Sequence, residues 1–353
     1  MRVAFLYNRA TEDPSQTADD DVPERSPVVA ALGRLGHTVT PIACTLDLGA
    51  ARSDIERANP DVAFDRVESL GGSDAMTAAV TLLLDSLRIP YTGCPTQALV
   101  ATASKLTVKE RLVRAGLPTP AWITCDCKLA ERTFNPRSAI RNPKFILKSV
   151  YEHASFEMDD ASVVGPADPS DIARLVGKRT QESGRAFFAE QFIEGREFNL
   201  SLLGNEPRVL PPAEIDFSAF PDGKPRIVGY GAKWNGASFE FQNTPRRFDF
   251  PPNDAPLLRR LSELAVECWQ LFGLCGYARV DFRCDEAGQP WILEINANPC
   301  LSPAAGFAAA LESAGIDYDE AIQRILDAAL PHGQTKRPRH ERRPLVRGAY
   351  GPL

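Results

Sequence analysis

The chain has 353 residues, 44% of them apolar and 24% charged, with a formal net charge of -6. That length exceeds what one small core fills, so two or three lobes are expected, and the acidic balance speaks against a nucleic-acid binder, which carries a basic domain. No run of about 18 apolar residues occurs, and MRVAFLYN enters strand-like sequence without signal-peptide architecture, so a cytoplasmic protein without a membrane span is expected. In chain order, RVAFLY, TVTPIAC and DVAFD read as short apolar strands. They alternate with SPVVAALGRLG, which has Ser26 at the N-cap, Pro27 at the first helical position and Gly36 as its stop, and with SDAMTAAVTLLLDSL. This rhythm predicts a parallel sheet with helices on both faces over 1–100. No Gly-x-Gly-x-x-Gly follows the first strand. An acidic loop, NRATEDPSQTADDDVPERS, stands there instead, which excludes a dinucleotide fingerprint and marks a functional or mobile loop.

A second lobe is expected over 101–193. It opens with a helix, SKLTVKERLVRAG, capped by Ser104 and stopped at Gly116, followed by the strand KFILKSV, a helix near 168–183 and the strand AFFAEQFI. A third lobe over 194–332 holds REFNLSLLG, a long loop from 211 to 250, the helix APLLRRLSELAVECWQLFG, the strands GYARVDFRC and PWILEINAN, and one final helix near 306–330. The segment 333–353 carries Lys336, Arg337, Arg339, Arg342, Arg343 and Arg347 against the single Glu341, and reads as a disordered, solvated tail. The eight cysteines include one tight pair, Cys125 and Cys127, whose spacing suits no common zinc pattern, so reduced thiols are expected.

Three constellations carry chemistry. In ARVDFRC, Arg279, Asp281 and Arg283 share one face of a strand; in WILEINAN, Glu294, Asn296 and Asn298 share the polar face, with Trp291, Leu293 and Ile295 on the apolar one. The turn DEAGQ makes the two a hairpin that sets Asp281 across from Glu294 and Arg279 across from Asn296. Facing carboxylates repel unless something lies between them, so the pair either holds a hard divalent cation or is neutralised by Arg279 and Arg283 on a solvated face. Lysines in unfavourable places come second: Lys148 interrupts an apolar strand, Lys105 sits in the first turn of a helix, and Lys233 lies in the Gly-rich loop GYGAKWNGAS. Together with the acidic hairpin they suggest a polyphosphate with Mg²⁺. In FFAEQFIEGREF, the backbone from Glu190 through Gln191 and Phe192 to Ile193 is suited to an adenine and Glu197 to ribose hydroxyls; an ordinary strand–turn–strand with exposed acids fits the same residues.

Taken in order, RVAFLYN, IPYTG, SKLTVKERLVRAGLPTP, FILKS, AEQFIEGREFNLSLLG and GYARVDFRCDEAGQPWILEINANPCLS resemble the ATP-grasp superfamily, and within it the D-alanine–D-alanine ligase branch. The resemblance implies an α/β and α+β fold of three lobes with ATP between the central and C-terminal ones. It implies Lys105 and Lys148 on the phosphates, Glu190 to Ile193 on the adenine, Glu197 on the ribose, and Asp281, Glu294 and Asn296 on two Mg²⁺, with Mn²⁺ as a substitute. Arg279 would stabilise the transferring phosphoryl group and Lys233 would reach the γ-phosphate. The implied reaction activates a carboxylate to an acyl phosphate, which an amine converts to an amide; the substrates would be small amino acids or peptides, and a homodimer is implied by analogy.

The positions that face the amino acids depart from that family. EHASFE stands where the family has EGSSVG, Trp234 where it has Tyr, Cys300 where it has Gly, and Ala305 near its serine; DDDVPERS and VESLGGSDA replace EREVS and HG…GEDG. Altered specificity is therefore expected, with His153, Ser155, Trp234, Asn298, Cys300 and Ser302 as substrate contacts. His153 reads as a pocket-shaping residue rather than a base, and Cys300 as a space-filler rather than a nucleophile. A kinase on the same fold, or a nucleotide-binding protein without turnover, are the alternative readings.

Overall fold

The computed structural model describes residues 1–8, 23, 25–125, 143–153, 155–165 and 167–330. The acidic loop over 9–22, Cys127, Ala154 and the basic tail lie outside the described residues.

The N-terminal sheet has the order β2-β1-β3, all parallel: β1 (Arg2–Asn8), β2 (Thr38–Cys44) and β3 (Val62–Arg66). Its strands are buried on both faces, which is why they read as continuous apolar runs. Ala4, Leu6 and Ala63 pack on α2 (Leu48–Ala58) and α3 (Ala78–Leu87). Val3, Phe5 and Phe64 pack on α1 (Pro27–Arg34) and on the last two helices of the chain. The stretch from Ser73 is not one helix: a 3-10 turn over Asp74–Met76 precedes α3, and the Asp74 carboxylate accepts the His153 backbone N–H at 2.7 Å.

Helices α4 (Thr96–Thr102) and α5 (Lys105–Arg114) follow. Ser104 caps α5, its side chain accepting from Thr107 N, as its sequence indicates. The apolar stripe of α5, Val108 and Leu112, enters the core of the largest sheet rather than that of the central one. The central sheet has the antiparallel order β4-β7-β5-β6, from β4 (Trp122–Ile123), β5 (Phe145–Ser149), β6 (Val163–Val164) and β7 (Phe187–Gln191), with α6 (Pro169–Ser183) on one face.

The largest sheet runs β11-β10-β8-β12-β13, with β9 also on β8: β8 (Arg196–Leu203), β9 (Arg208–Val209), β10 (Ala213–Ile215), β11 (Arg246–Arg247), β12 (Tyr277–Cys284) and β13 (Pro290–Asn296). The region 211–250 is thus not a simple loop. It carries β10 and β11, recruited by pairing to β8, and the short helices α7 (Tyr230–Trp234) and α8 (Phe239–Gln242). One face of the sheet packs on α9 (Ala255–Phe272). The expected single last helix is two, α10 (Gly306–Ser313) and α11 (Tyr318–Ala328), separated at Gly315 with φ of 66° and restarted by Asp317, whose side chain accepts from Asp319 and Glu320 N–H.

The hairpin has the expected register, Asp281 opposite Glu294 and Arg279 opposite Asn296. The expected apolar face is corrected. A bulge skips Leu293, so Ile292 pairs with Phe282 and Trp291 with Arg283; Ile292 and Ile295 fill the core. Trp291 donates its indole N–H to Asp285 at 3.1 Å, and Leu293 is turned into the cavity described below. Among the described residues no helix is long and apolar enough to cross a membrane, and no cysteine is in a disulfide.

Burial pushes the Asp65 carboxyl on β3 up to about 7. The folded chain therefore keeps this proton up to about pH 7, while the unfolded chain releases it near pH 4. The resulting stabilisation is fully present below that lower value and is lost as pH rises through 7. Asp65→Asn keeps an acceptor for the Val67 N–H, and it is expected to flatten the pH dependence between about 4 and 7 and to stabilise the protein at pH 8 by about 2 kcal/mol, read from urea unfolding midpoints across pH.

Candidate active site

A cavity of about 680 Å³ separates the central and largest sheets. Ile146, Lys148 and Glu190 line it from the central sheet, and Glu197, Asn199, Arg279, Asp281 and Glu294 from the largest one. Every site residue expected from the sequence lines this one space: Lys105, Lys148, Glu190, Gln191, Phe192, Ile193, Glu197, Lys233, Arg279, Asp281, Glu294 and Asn296, and, toward the substrate end, His153, Ser155, Trp234, Asn298, Cys300 and Ser302.

Helix α5 joins the two walls. Lys105 and Lys109, one turn apart, project from the same side of the helix. The Lys105 ammonium donates to the Glu152 carbonyl at 2.6 Å and lies 3.5 Å from Glu294. Lys109, fully buried, pairs with Glu190 at 2.5 Å and donates to Thr119 Oγ1 and the Pro120 carbonyl at 2.8 and 3.1 Å. Lys148 takes the other Glu190 oxygen. Burial alone would push the Glu190 carboxyl up, but Lys109 and Lys148 together hold it below the usual carboxylate range. Its carboxylate is therefore engaged by lysines. The Gln191 and Phe192 N–H groups bond to the Ala121 and Lys144 carbonyls at 2.8 Å each, while the buried Gln191 side-chain amide nitrogen has no hydrogen-bond partner among the described residues.

The opposite wall is acidic with cations laid over it. Arg279 donates Nε and a terminal nitrogen to the two Asp281 oxygens at 2.8 and 2.9 Å, and Asn199 adds a bond at 2.8 Å. His153 Nδ1 lies 2.7 Å from Glu294. Burial raises the Glu294 carboxyl, yet Lys105, His153 and Lys233 outweigh it and hold Glu294 well below its ordinary value. Arg283 pairs with Glu197 at 2.9 Å and also reaches the carbonyls of Ile193 and Gly195 at 3.4 Å. Asn296 accepts the Asn298 N–H at 3.2 Å. Among the described residues no group of three or more His, Cys, Asp or Glu side chains is placed to hold a metal; two carboxylates and an amide form an oxygen set that suits a hard cation completing its shell with phosphate and water.

Two segments are laced over the opening. Ser155 and Glu157, both in the left-handed region, shape the loop after Lys148; Ser155 Oγ donates to the Val228 carbonyl at 2.7 Å and Tyr230 N–H to the Met158 carbonyl at 2.7 Å. A Cβ on Gly229 would stand 2.7 Å from that Met158 oxygen, so the crossing requires glycine there. Lys233, expected in a loop, stands on helix α7, where desolvation and the like charge of Arg279 lower its pKa. Asn298 lines the cavity and also joins two parts of the fold: Tyr277 OH on β12 donates to its oxygen at 2.6 Å, and its amide donates to the Val67 carbonyl beyond β3 at 3.2 Å.

Sequence reasoning missed Lys109, Asn199, Arg66, Glu68, Asp74 and Arg246. The first two left a signal: Lys109 follows Lys105 by one turn, and Asn199 continues the polar face of β8 that begins with Glu197, opposite Phe198 and Leu200. The others enter through lobe packing, which no local pattern encodes.

A nucleotide-sized cleft held between two antiparallel sheets, with lysines on one wall and a carboxylate pair on the other, defines the ATP-grasp class. The profile of the D-ala D-ala ligase C-terminus matches residues 170–327. The D-alanine–D-alanine ligase of Gloeobacter violaceus is 30% identical over 311 residues, covering 86% of this chain and 92% of the relative. That of Moorella thermoacetica is 28% identical and covers 94% and 99%. An uncharacterized Sinorhizobium fredii protein, y4sG, is 28% identical over 86% of each chain. The crystal structure of a Bacillus anthracis D-alanine–D-alanine ligase complexed with ATP superimposes with a TM-score of 0.66 at 19% identity, covering 93% of this chain and 97% of that one. The chain belongs to the D-alanine–D-alanine ligase family.

Removing one partner of the buried triad leaves Glu190 undercompensated. Lys109→Met is expected to cost about 3–5 kcal/mol, and the double variant with Glu190→Gln less than that, read from urea unfolding; equal midpoints for wild type and Lys109→Met would overturn the role given to this pair.

Proposed function

We propose that the protein is an ATP- and Mg²⁺-dependent carboxylate–amine ligase acting on an amino-acid or dipeptide pair other than two D-alanines. The observation that carries it is the single cavity in which the expected phosphate lysines, the cross-strand carboxylates and Arg279 converge. Lys105, Lys148 and Lys233 would hold the phosphates, and the backbone from Gln191 to Ile193, with the Gln191 amide that has no partner among the described residues, the base. Asp281, Glu294 and Asn296 would hold Mg²⁺, which supplies neutralisation of the phosphate oxygens when bound.

In this reading Arg279 lies where the γ-phosphoryl group meets the substrate carboxylate. A carboxylate oxygen bonds to phosphorus as the bond to ADP breaks. The neutral amine of the second substrate then bonds to the acyl carbon, phosphate leaves, and the nitrogen loses a proton. The chain contributes position and fixed positive charge. The substrate end supports a changed specificity: Cys300, Trp234, His153 and Glu68 line it, and Ala305 carries no donor.

ADP release over a panel of amino acids and dipeptides, with hydroxylamine as trap, tests the reading. A ligase yields hydroxamate and, with the proper amine, an amide; a stable phosphate ester would identify a kinase instead. Asp281→Asn and Glu294→Gln are each expected to lower kcat/KM by at least about 100-fold with unchanged far-UV circular dichroism; retained turnover would remove the metal assignment.

A further inference from the structure

Resting on the metal assignment made above, we propose that the His153 imidazole supplies a nitrogen ligand to the divalent cation at Glu294, so that the site favours a first-row cation such as Mn²⁺ over Mg²⁺. His153, expected among the substrate contacts, stands with its Nδ1 2.7 Å from Oε1 of Glu294. Both side chains are largely buried and line the same cavity as Asp281 and Asn296. In EHASFE the histidine takes the place of the first glycine of the family's EGSSVG, so the donor is this chain's own addition.

The backbone around His153 is tied down from several directions. Just before it, the Glu152 carbonyl accepts from the Lys105 ammonium at 2.6 Å and from Ser149 Oγ at 3.0 Å, and the Glu152 side chain pairs with Arg185 at 2.8 Å. Its own N–H donates to the Asp74 carboxylate at 2.7 Å. Two residues further on, Ser155 Oγ donates to the Val228 carbonyl at 2.7 Å. The imidazole is therefore placed at Glu294 by its backbone and not by one hydrogen bond alone, as a preorganised ligand requires. Neutralising Glu294 does not need it, because the Lys105 ammonium already lies 3.5 Å from the same carboxylate oxygen. Neighbouring corners of an octahedral shell with bonds of about 2.1 Å stand about 3 Å apart. The 2.7 Å between Nδ1 and Oε1 is close to that separation, so the pair spans one cation with little movement. Mg²⁺ takes oxygen ligands, whereas an imidazole nitrogen suits transition cations, which is the source of the preference.

Electron spin echo spectroscopy of Mn²⁺ bound with a non-hydrolysable ATP analogue tests the assignment, at about pH 8, where free imidazole is neutral. The protein carries ¹⁵N in its histidines, which separates imidazole from the adenine nitrogens. Wild type is expected to show the ¹⁵N coupling of a directly bound nitrogen, and His153→Gly to lose it with unchanged far-UV circular dichroism. His153→Gln, which keeps a hydrogen-bond donor for Glu294 without an imidazole nitrogen, is expected to lose it as well. In competition titrations both variants are expected to bind Mn²⁺ at least about 10-fold more weakly while Mg²⁺ changes by less than about threefold. Bound Mn²⁺ without ¹⁵N coupling in wild type, coupling that persists in the variants, or equal losses for both cations overturns the ligand role and leaves the metal reading of Glu294 standing. Failure of the wild type to bind Mn²⁺ with the analogue overturns that reading and this assignment with it.

Discussion

The site depends on one arrangement of charge: two lysines a turn apart on helix α5, each bound to a carboxylate of a different sheet. Lys105 reaches Glu294 on β13 and Lys109 reaches Glu190 on β7. The apolar stripe of the same helix is sunk in the core of the largest sheet, which fixes where both ammonium groups emerge. Below it, the Ile292 N–H donates to the Pro118 carbonyl at 2.8 Å and Thr119 Oγ1 to the Ile292 carbonyl at 2.9 Å, tying the chain after α5 to the bulged strand. One helix therefore positions both ammonium groups between the two sheets. A buried pair of this kind adds little net stability over an apolar replacement, so its value lies in position.

Most charges that line the cavity are paired with one another. Arg279 covers Asp281, Arg283 covers Glu197, and Lys148 shares Glu190 with Lys109. A polyanion entering the cavity would exchange partners within this set, drawing on arginine and lysine side chains already held there by carboxylates. Such an exchange keeps the desolvation cost of binding low, because no charge need be stripped of partners without gaining others. The substrate end lacks this property. There, among the described residues, Arg246 has no ion-pair partner, and the aromatic side chains of Trp234 and Phe241 are exposed at the opening.

Legibility followed physical range. Elements set by neighbouring residues were read well: α1 from Ser26 and Pro27, α5 from Ser104, and the β12–β13 register, because a short turn leaves few pairings. The bulge at Leu293 was not, since alternation presumes one residue for one and a skipped residue leaves no mark in composition. The region 211–250 read as loop because strands of two or three residues carry no period; β10 and β11 exist through their pairing and through Glu214, which holds Arg196 and Arg247. Lys233 read as a loop residue because glycines flank it, yet the crossing at Met158 winds that stretch into α7.

The sequence by itself determined the chemical inventory of this protein: acidic and amide side chains at alternate strand positions, and lysines where a lone cation is unfavourable. These are local properties, legible because strand and helix periods fix which residues share a face. Only the tertiary structure decided how the inventory is joined: that Lys109 lies beneath Glu190, that Asn298 ties β12 to the segment after β3, and that the last helices pack on the N-terminal sheet. Those outcomes depend on which groups meet across lobes far apart in the chain, and the free energy of a charge depends on what surrounds it in space, not on its neighbours in sequence.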